Sequence, residues 1–250
     1  MTKLDSVAIV TGASSGIGHA VVRTLLAEGW TVVGISRRPA ELDESQYHEF
    51  LIDLGNLDAL AALVDNQLAP LFSDDRWKRI GLVNNAATPG FMRSVEEIEP
   101  QDLAQVLAVN VVAPVYLMGV AVRHTPAWIP LRIVNVSSGA ATWPLPGLAD
   151  YGSSKAALRL ASMTLGAELR SGDLAGGART NVAVMSYSPG VVDTPMQVTA
   201  RSADSPWSRP FVGFHAQGQL VSPEAPAGEI VRFLAGDHAE MFVERRFGET

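Results

Sequence analysis

Short runs of β-branched residues alternate with longer helical patterns along most of this sequence. The strand-like runs are residues 7–10, 30–35, a run that ends at 51–52, 80–83, 133–136 and 182–185. The helical patterns are residues 17–28, 56–71, 100 to about 124, 151–169 and 224–234. A chain that alternates in this way returns through a helix to the same edge of a sheet each time, so its strands run parallel and its helices cover both faces. The sequence therefore predicts an α/β fold with a doubly wound parallel sheet.

The chain shows no charged or Gly/Ser-rich linker, which predicts one domain over residues 1–250. Its long stretch without clear periodicity is residues 191–221, which carries Pro, Trp, Phe and Gly. A long irregular segment in a compact domain is often a lid or a binding loop, and we expect that role here. The alternative is a variable surface loop with no role in binding.

The composition excludes several classes of function. The formal net charge is −7, which disfavours nucleic acid and anionic membrane surfaces as partners. Without cysteine, disulfides, thiol catalysis and cysteine-ligated metals are excluded, and no other metal site is expected. Residues 106–122 form the longest apolar stretch, but Asn110, Pro114 and Gly119 interrupt it, which favours a buried or interface helix over a membrane span. Residues 1–6 are polar and show no secretory signal, so a cytoplasmic location is expected.

The first strand-like run leads directly into a glycine-rich turn, and a helical pattern follows. The turn reads Thr11-Gly12-Ala13-Ser14-Ser15-Gly16-Ile17-Gly18. Glycines allow the main chain to turn tightly and to approach a pyrophosphate, and the helix N-terminus then presents free N–H groups and a positive dipole end to that anion. The pattern predicts a dinucleotide site with the spacing Gly-x-x-x-Gly-x-Gly.

This turn resembles the cofactor motif of the short-chain dehydrogenases/reductases, and further motifs of that family follow in the expected order. They are Asn84-Asn85-Ala86-Ala87, where the family has Asn-Asn-Ala-Gly; Ser138 with Tyr151-Gly152-Ser153-Ser154-Lys155; and Pro189-Gly190 with Thr194. The resemblance covers about residues 6–196. It implies a single Rossmann-type domain, a nicotinamide cofactor and a small-molecule carbonyl substrate.

The resemblance also implies which residues contact the cofactor. Asp53 and Leu54 would contact adenine, Lys155 the nicotinamide ribose and Thr194 the carboxamide. The full set of expected contacts is Gly12, Ser14, Ser15, Gly16, Ile17, Gly18, Ser36, Arg37, Arg38, Asp53, Leu54, Asn85, Ala86, Tyr151, Lys155, Pro189, Gly190, Val192 and Thr194.

The end of the second strand-like run indicates which nicotinamide cofactor is used. Sites that prefer NAD usually place an acidic residue there for the ribose hydroxyls, whereas an arginine suits the 2′-phosphate of NADP. This run ends in Ser36-Arg37-Arg38, without an acid. Because a guanidinium can hold a phosphate with two hydrogen bonds, we predict NADP(H), with Arg37 as the main ligand and Ser36 or Arg38 assisting. The alternative is that both arginines are ordinary solvated charges.

Tyr151 and Lys155 are four residues apart at the start of a helical pattern, which places both side chains on one face. A nearby ammonium favours the phenolate, so we expect the pKa of Tyr151 to be lowered toward neutrality. Ser138 follows the fifth strand-like run and could hold the substrate oxygen, with Ser137 as the alternative. The family's separation of serine from tyrosine favours Ser138. By resemblance Asn110 completes a catalytic tetrad and helps to hold a water near Lys155; alone, it would be interpreted as a buried helix-contact amide.

The closest resemblance within the family is to the sepiapterin reductase and benzil reductase group. It rests on residues 36–38, 151–158, 189–197 and 218–224. It implies reduction of a vicinal dicarbonyl or another apolar or aromatic ketone, with Tyr151 as proton donor. The residues expected around the substrate are Ala87, Thr88, Trp143, Leu145, Pro146, Met196, Trp207, Phe211 and Phe214.

Two other functions stay open, namely NAD(P)-dependent oxidation of an alcohol and a non-catalytic NADP-binding regulator. The intact Ser138, Tyr151 and Lys155 disfavour the regulator. The chain lacks the Asp-Gly-Gly ending common in tetrameric relatives. We therefore expect a homodimer through the apolar helices at 106–122 and 151–169.

Overall fold

A parallel sheet of seven strands forms the centre of the computed structural model, which describes residues 6–249. The strands are β1 Ser6–Thr11, β2 Thr31–Ser36, β3 Tyr47–Leu51, β4 Arg79–Asn84, β5 Leu131–Val136, β6 Val182–Ser188 and β7 Phe242–Arg246. Their order in the sheet is β3-β2-β1-β4-β5-β6-β7. The predicted doubly wound parallel sheet is confirmed. Residues 1–5, which belong to the polar N-terminus discussed above, and Thr250 lie outside the described residues.

Helices cover both faces of this sheet. They are α1 Gly16–Ala27, α2 Leu57–Leu63, α3 Ala69–Ser73, α4 Pro100–Leu107, α5 Ala113–His124, α6 Ala149–Ser171, α7 Pro195–Ser202, α8 Arg209–Ala216 and α9 Glu224–Ala235. Alternate residues of each strand serve two cores. In β5, Ile133 packs in the core that includes α5 and α6, and Val134 packs in the core that includes α1 and α9.

Two π-helical turns interrupt the longer helices, one at Val64–Leu68 between α2 and α3 and one at Ala108–Val112 between α4 and α5. A proline follows each turn, at Pro70 and Pro114. Proline has no main-chain N–H, so the carbonyl four residues earlier loses its helical donor and the helix widens locally. The second of these turns carries the fully buried Asn110.

The continuous helical segment Pro100–His124 is long and apolar enough to span a membrane, judged by length and composition alone. Half of its most apolar window is buried inside the fold. That burial agrees with the expectation of a helix packed within the protein.

Residues 191–221 are not irregular, contrary to the sequence prediction. They contain α7, a short 3₁₀ turn at Pro206–Ser208 and α8. Val192 forms a β-bridge with Val221, so the two ends of this segment lie next to each other. Because α7 and α8 have eight residues each, neither is long enough to establish a clear helical periodicity.

Strand β7 was also missed. It has the sequence FVERR, in which three of five residues are charged, and it lies at the edge of the sheet. Charged side chains are common on edge strands because they discourage pairing with another chain, but they remove the apolar pattern by which a strand is recognised.

The contact between α6 and β7 can be tested at Gly166. A Cβ atom at this position would lie 2.4 Å from the Cβ of Phe242, so neither chain segment can accept it without moving. Gly166→Ala should lower the free energy of unfolding by about 1–3 kcal/mol, measured by urea denaturation. The matched control is Gly228→Ala in α9, where a Cβ would meet only the end of the Arg232 side chain at 3.6 Å. That variant should gain about 0.5–1 kcal/mol. Equal changes in the free energy of unfolding for the two variants would contradict the close contact between Gly166 and Phe242.

Candidate active site

A cavity of about 450 Å³ opens at the carboxyl ends of the central strands. It lies where the strand order reverses between β1 and β4, the usual place for a ligand in an open α/β sheet. The predicted cofactor contacts that line it are Gly12, Ser14, Ser15, Gly16, Ile17, Ser36, Arg37, Arg38, Asp53, Leu54, Asn85, Ala86, Tyr151, Lys155, Pro189, Gly190, Val192 and Thr194. Gly18 is absent from this lining, and so is Asn110. Ser138 lines the cavity together with Tyr151 and Lys155.

The glycine turn is shaped by the side chain of Asn85. Its amide nitrogen donates to the carbonyl of Thr11 at 3.0 Å and to that of Gly12 at 3.3 Å. A Cβ on Gly18 would lie 2.4 Å from this nitrogen and 2.3 Å from the Gly12 oxygen. Gly18 is therefore needed because only a residue without a side chain allows α1 to pack this closely against Gly12 and Asn85.

The hydroxyl of Thr11 joins the loops after β1 and β4. It accepts hydrogen bonds from the main-chain N–H groups of Asn85 and Ala86, both at 3.0 Å, and Thr11 is almost completely buried. The two loops are thus held as one unit, which fixes the glycine turn relative to the chain that enters the catalytic side of the cavity.

The N-terminus of α1 fits an anion. Ser15 occupies the N-cap without a side-chain capping hydrogen bond, and the first turn contains no acidic residue. The first main-chain N–H groups of a helix have no partner within the helix, and the dipole favours negative charge there. Gly16 has a φ of +55° and lies against Thr194, which brings the main chain close to the cavity. These features fit the pyrophosphate of a dinucleotide.

At the other end of the cavity, Arg37 and Arg38 are exposed, and within residues 6–249 neither forms an ion pair with a carboxylate. The hydroxyl of Ser36 donates to the carbonyl of Arg38 at 2.6 Å, so its hydrogen is used to hold the turn. Glu49, an acidic residue on the adjacent strand β3, accepts hydrogen bonds from Tyr47 and Ala40. The guanidinium groups are thus available to an anion, and Ser36 acts on the turn that presents them.

Tyr151 and Lys155 lie on the first turns of α6 and reach the cavity. The ammonium of Lys155 donates to the carbonyl of Val136 at 2.8 Å and lies 5.8 Å from the centroid of the Tyr151 ring. Burial lowers the pKa of Lys155 to about 8. Burial raises the pKa of Tyr151, and a side-chain hydrogen bond with Ser138 opposes that rise. The expected lowering of the Tyr151 pKa by Lys155 is therefore wrong for this arrangement, because desolvation of the phenolate outweighs the favourable interactions.

The structure distinguishes the two candidate serines. Ser138 lies close enough to Tyr151 to oppose the rise in its pKa, and the Oγ of Ser138 accepts from the N–H of Ala140 at 3.2 Å. Ser137 is buried, and its Oγ has no hydrogen-bond partner among the described residues. Of the two, Ser138 is placed to hold a substrate oxygen beside the phenol.

Asn110 braces the site from behind. Its Nδ2 donates to the carbonyl of Thr88 at 2.9 Å and to the Oγ of Ser154 at 3.0 Å, and its Oδ1 accepts from the N–H of Thr88 at 2.8 Å. Ser154 in turn donates to the carbonyl of Tyr151. Both amide hydrogens are used, so the side chain cannot donate a hydrogen bond to a water, and the role of Asn110 in holding a water near Lys155 stays a prediction. The side chain joins the loop after β4 to the catalytic helix.

The half of the cavity beyond Tyr151 is largely apolar and carries Thr88 and Thr199 as polar residues. Of the residues expected there, Ala87, Thr88, Leu145, Met196 and Phe211 line the cavity. Sequence reasoning missed Pro89, Met92, Leu148, Thr199 and Ala200, because no motif marks them and only folding brings together the loop after β4, the start of α6 and helix α7. The charged residues that line the cavity are Arg37, Arg38, Asp53 and Lys155.

Four of the expected substrate residues do not line the cavity. Trp143 is largely exposed, Pro146 lies outside the lining, Trp207 packs against Gly147, and Phe214 stacks edge-on against Phe211. Trp207 and Phe214 contact neighbouring residues instead, and Trp143 is exposed to solvent.

The segment with α7 and α8 covers the substrate end. The Oγ of Ser205 donates to the carbonyl of Met92 at 2.9 Å. Met92, Leu148 and Ala200 form a small apolar cluster, against which Tyr151 and Phe211 pack. The loop expected to act as a lid thus contributes directly to the wall of the cavity.

Comparison with known proteins places these features in context. A family model described as short chain dehydrogenase matches residues 6–205. The chain is 32% identical over 230 residues to benzil reductase ((S)-benzoin forming) of Bacillus subtilis (strain 168), covering 90% of this chain and 92% of that protein. It is 30% identical over 237 residues to the protein of the same name from Bacillus cereus, with the same coverage of both chains.

Solved structures show the same fold. A short chain dehydrogenase/reductase from Saccharomyces cerevisiae superposes with a TM-score of 0.79 at 26% identity, covering 98% of this chain and 96% of that one. The KRED1-Pglu enzyme superposes with a TM-score of 0.78 at 25% identity, covering 95% of this chain and 100% of that one.

Proposed function

The chain belongs to the short chain dehydrogenase family of nicotinamide-dependent oxidoreductases, and we propose that it uses NADPH to reduce a vicinal dicarbonyl or another apolar or aromatic ketone to the alcohol. One observation carries this proposal. Tyr151 lines one cavity together with Ser138 and Lys155, its ring centroid lies 5.8 Å from the Lys155 ammonium, and this cavity also contains the glycine turn and the residues around the substrate end.

The residues of this chain account for the binding of the cofactor. The N-terminus of α1 would hold the pyrophosphate, Thr194 the carboxamide and Lys155 the nicotinamide ribose. When bound, the nicotinamide supplies a hydride to the carbonyl carbon. The protein contributes the position of the substrate and the proton for its oxygen.

Proton transfer falls to Tyr151. Because burial raises its pKa, the side chain is a phenol at neutral pH, which is the form that can donate a proton to a carbonyl oxygen. Ser138 holds that oxygen beside the phenol. Alcohol oxidation would require the phenolate as a base, and the raised pKa of Tyr151 disfavours that form.

The preference for NADPH rests on Arg37 and Arg38. Both line the cavity at the end of β2, and the nearest acidic side chain on the adjacent strand, Glu49, is already bonded to Tyr47 and Ala40. An exposed guanidinium can hold a 2′-phosphate with two hydrogen bonds, whereas the ribose hydroxyls of NAD would find no carboxylate in this position.

The substrate class follows from the apolar half of the cavity. Its lining includes Met92, Leu145, Leu148 and Phe211, with no charged side chain beyond Lys155. A carboxylate or phosphate on the substrate would lose its hydration there without compensation. The two similar proteins named as benzil reductases support a neutral aromatic dicarbonyl.

We further propose that two copies of the chain form a homodimer through one side of the fold. Val112, Val115 and Tyr116, at and after the π turn before α5, are exposed, and so is Leu160 on α6, although all four are large apolar residues. Helices α5 and α6 pack against each other. Exposed apolar residues on adjacent helices favour a self-complementary interface.

Removal of the Tyr151 hydroxyl should abolish most of the activity. In an assay that follows nicotinamide absorbance with benzil and simple diketones, Tyr151→Phe should reduce kcat by about a hundredfold or more, because the proton donor is lost. The dissociation constant for NADPH should stay close to that of the wild-type protein. Tyr116→Phe, which removes the same atom from an exposed tyrosine, is the control. Near-normal turnover by Tyr151→Phe would refute the mechanism.

Reversal of charge at Arg37 should remove the preference for NADPH. Arg37→Asp should lower the ratio of kcat/KM for NADPH to that for NADH by at least about tenfold, because a carboxylate repels the 2′-phosphate. Arg38→Asp applies the same charge change one residue away and should have the smaller effect. An unchanged ratio in both variants would show that these arginines do not select the cofactor.

A charge in the exposed apolar face should dissociate the dimer. Leu160→Arg should shift the sedimentation equilibrium toward monomer, because an arginine would be buried there without a partner. Trp128→Arg, at an exposed apolar residue in the loop before β5, should leave the mass unchanged. A wild-type chain that is monomeric at micromolar concentration would contradict the proposal.

A further inference from the structure

Asp150 precedes Tyr151 at the start of α6, and its residue is only 3% exposed. Its Oδ1 accepts a hydrogen bond from the N–H of Tyr151 at 2.7 Å, and its Oδ2 accepts one from the N–H of Phe91 at 3.1 Å. A buried carboxylate is costly unless such donors satisfy it. Asp150 thus links the first turn of the catalytic helix to the loop after β4.

The loop comes unusually close to this carboxylate. A Cβ on Gly90 would lie 2.4 Å from the Oδ2 of Asp150, and the φ of Gly90 is +78°. Met92, two residues later, has a φ of +48°, a conformation that costs energy for a residue with a side chain. Such a conformation persists only where the surrounding structure holds it. Phe91 lies between Gly90 and Met92, and the Asp150 carboxylate holds it by accepting the hydrogen bond from its N–H.

The same loop forms a wall of the substrate end of the cavity. Thr88, Pro89 and Met92 line the cavity, and Met92 packs in the cluster that Tyr151 contacts. Arg93 then pairs with Leu148, immediately before α6. The wall therefore contacts residues 148–151, which include the proposed proton donor Tyr151. Asp150 contributes the side-chain hydrogen bond of that contact.

We propose that Asp150 is a positioning residue that sets the distance and orientation of the wall formed by residues 88–93 relative to Tyr151. This inference rests on the proposed function, because it assigns the wall to the bound carbonyl compound. The wall decides which face of an unsymmetrically placed ketone is presented to the hydride. Asp150 therefore controls the binding of bulky substrates and the stereochemistry of the product, while the chemistry at Tyr151 stays the same.

The first test is Asp150→Asn, which keeps the shape but turns an amide NH₂ toward one of the two N–H donors. The KM for benzil should rise by about tenfold, in line with the loss of one buried hydrogen bond, and the enantiomeric excess of the benzoin product should fall. The KM for the small diketone 2,3-butanedione and the dissociation constant for NADPH should change by less than about twofold. Asp173→Asn, at an exposed position after the other end of α6, is the control for the charge change and should match the wild-type protein.

A second variant approaches the contact from the loop. Gly90→Ala places a methyl group against the carboxylate. It should raise the KM for benzil but not the KM for 2,3-butanedione, and it should lower the enantiomeric excess of the benzoin product as Asp150→Asn does. Because both changes disrupt one contact, the double variant should be no worse than the more severe single variant. Fully additive effects would overturn the proposal, since they would indicate that the two residues act independently.

Hydrogen exchange provides a readout that needs no substrate. In Asp150→Asn the amide of Phe91 should exchange faster than in the wild-type protein, while amides of β1 and α1 stay unchanged. Faster exchange in a chain that reduces no dicarbonyl would refute the proposed function and retain the positioning role. Unchanged exchange, KM and enantiomeric excess would overturn the positioning role. A parallel decline in melting temperature, NADPH binding and activity toward both diketones would also overturn it, because it would indicate general destabilisation.

Discussion

The hydrogen bonds of Thr11 and Asn85 hold together the two loops on which the whole site depends. Strands β1 and β4 are neighbours in the sheet, but the chain leaves them toward opposite sides, which opens the groove at their carboxyl ends. Asn85 binds the carbonyls of the glycine turn, and Thr11 binds the N–H groups of the loop after β4. Since both contacts are largely shielded from water, they make the phosphate end and the catalytic end of the cavity one rigid frame.

Burial rather than pairing dominates the electrostatics of the catalytic groups. Desolvation raises the pKa of Tyr151 and lowers that of Lys155, so each group is shifted toward its neutral form. For the proposed reduction this is useful at the tyrosine, because the phenol would be the proton donor. Ser138 opposes the rise in the pKa of Tyr151, and Asn110 and Asp150 hold the surrounding main chain through hydrogen bonds with Thr88 and Phe91.

The sequence predicted most of this architecture because its signals are local. Each predicted strand and helix before residue 191 is confirmed, and so is the family assigned from the glycine turn, Asn84-Asn85, Ser138 and Tyr151-x-x-x-Lys155. The elements that were missed have weak local signals. Strand β7 is mostly charged, and α7 and α8 are too short to show a period. Their positions depend on contacts with distant residues, such as Trp207 with Gly147 and Ser205 with Met92.

The sequence alone determined the fold class, the family and the glycine turn, and it predicted the side chains proposed to react, because these follow from periodicity, from the needs of a phosphate and from residues a few positions apart on one helix. Only the tertiary structure decided that the pKa of Tyr151 is raised and that Asp150 joins the start of α6 to the loop after β4. The physical reason is that desolvation and long-range hydrogen bonds arise from residues brought together by folding. Phe91 and Asp150 are 59 positions apart in the chain, and no local pattern records their contact.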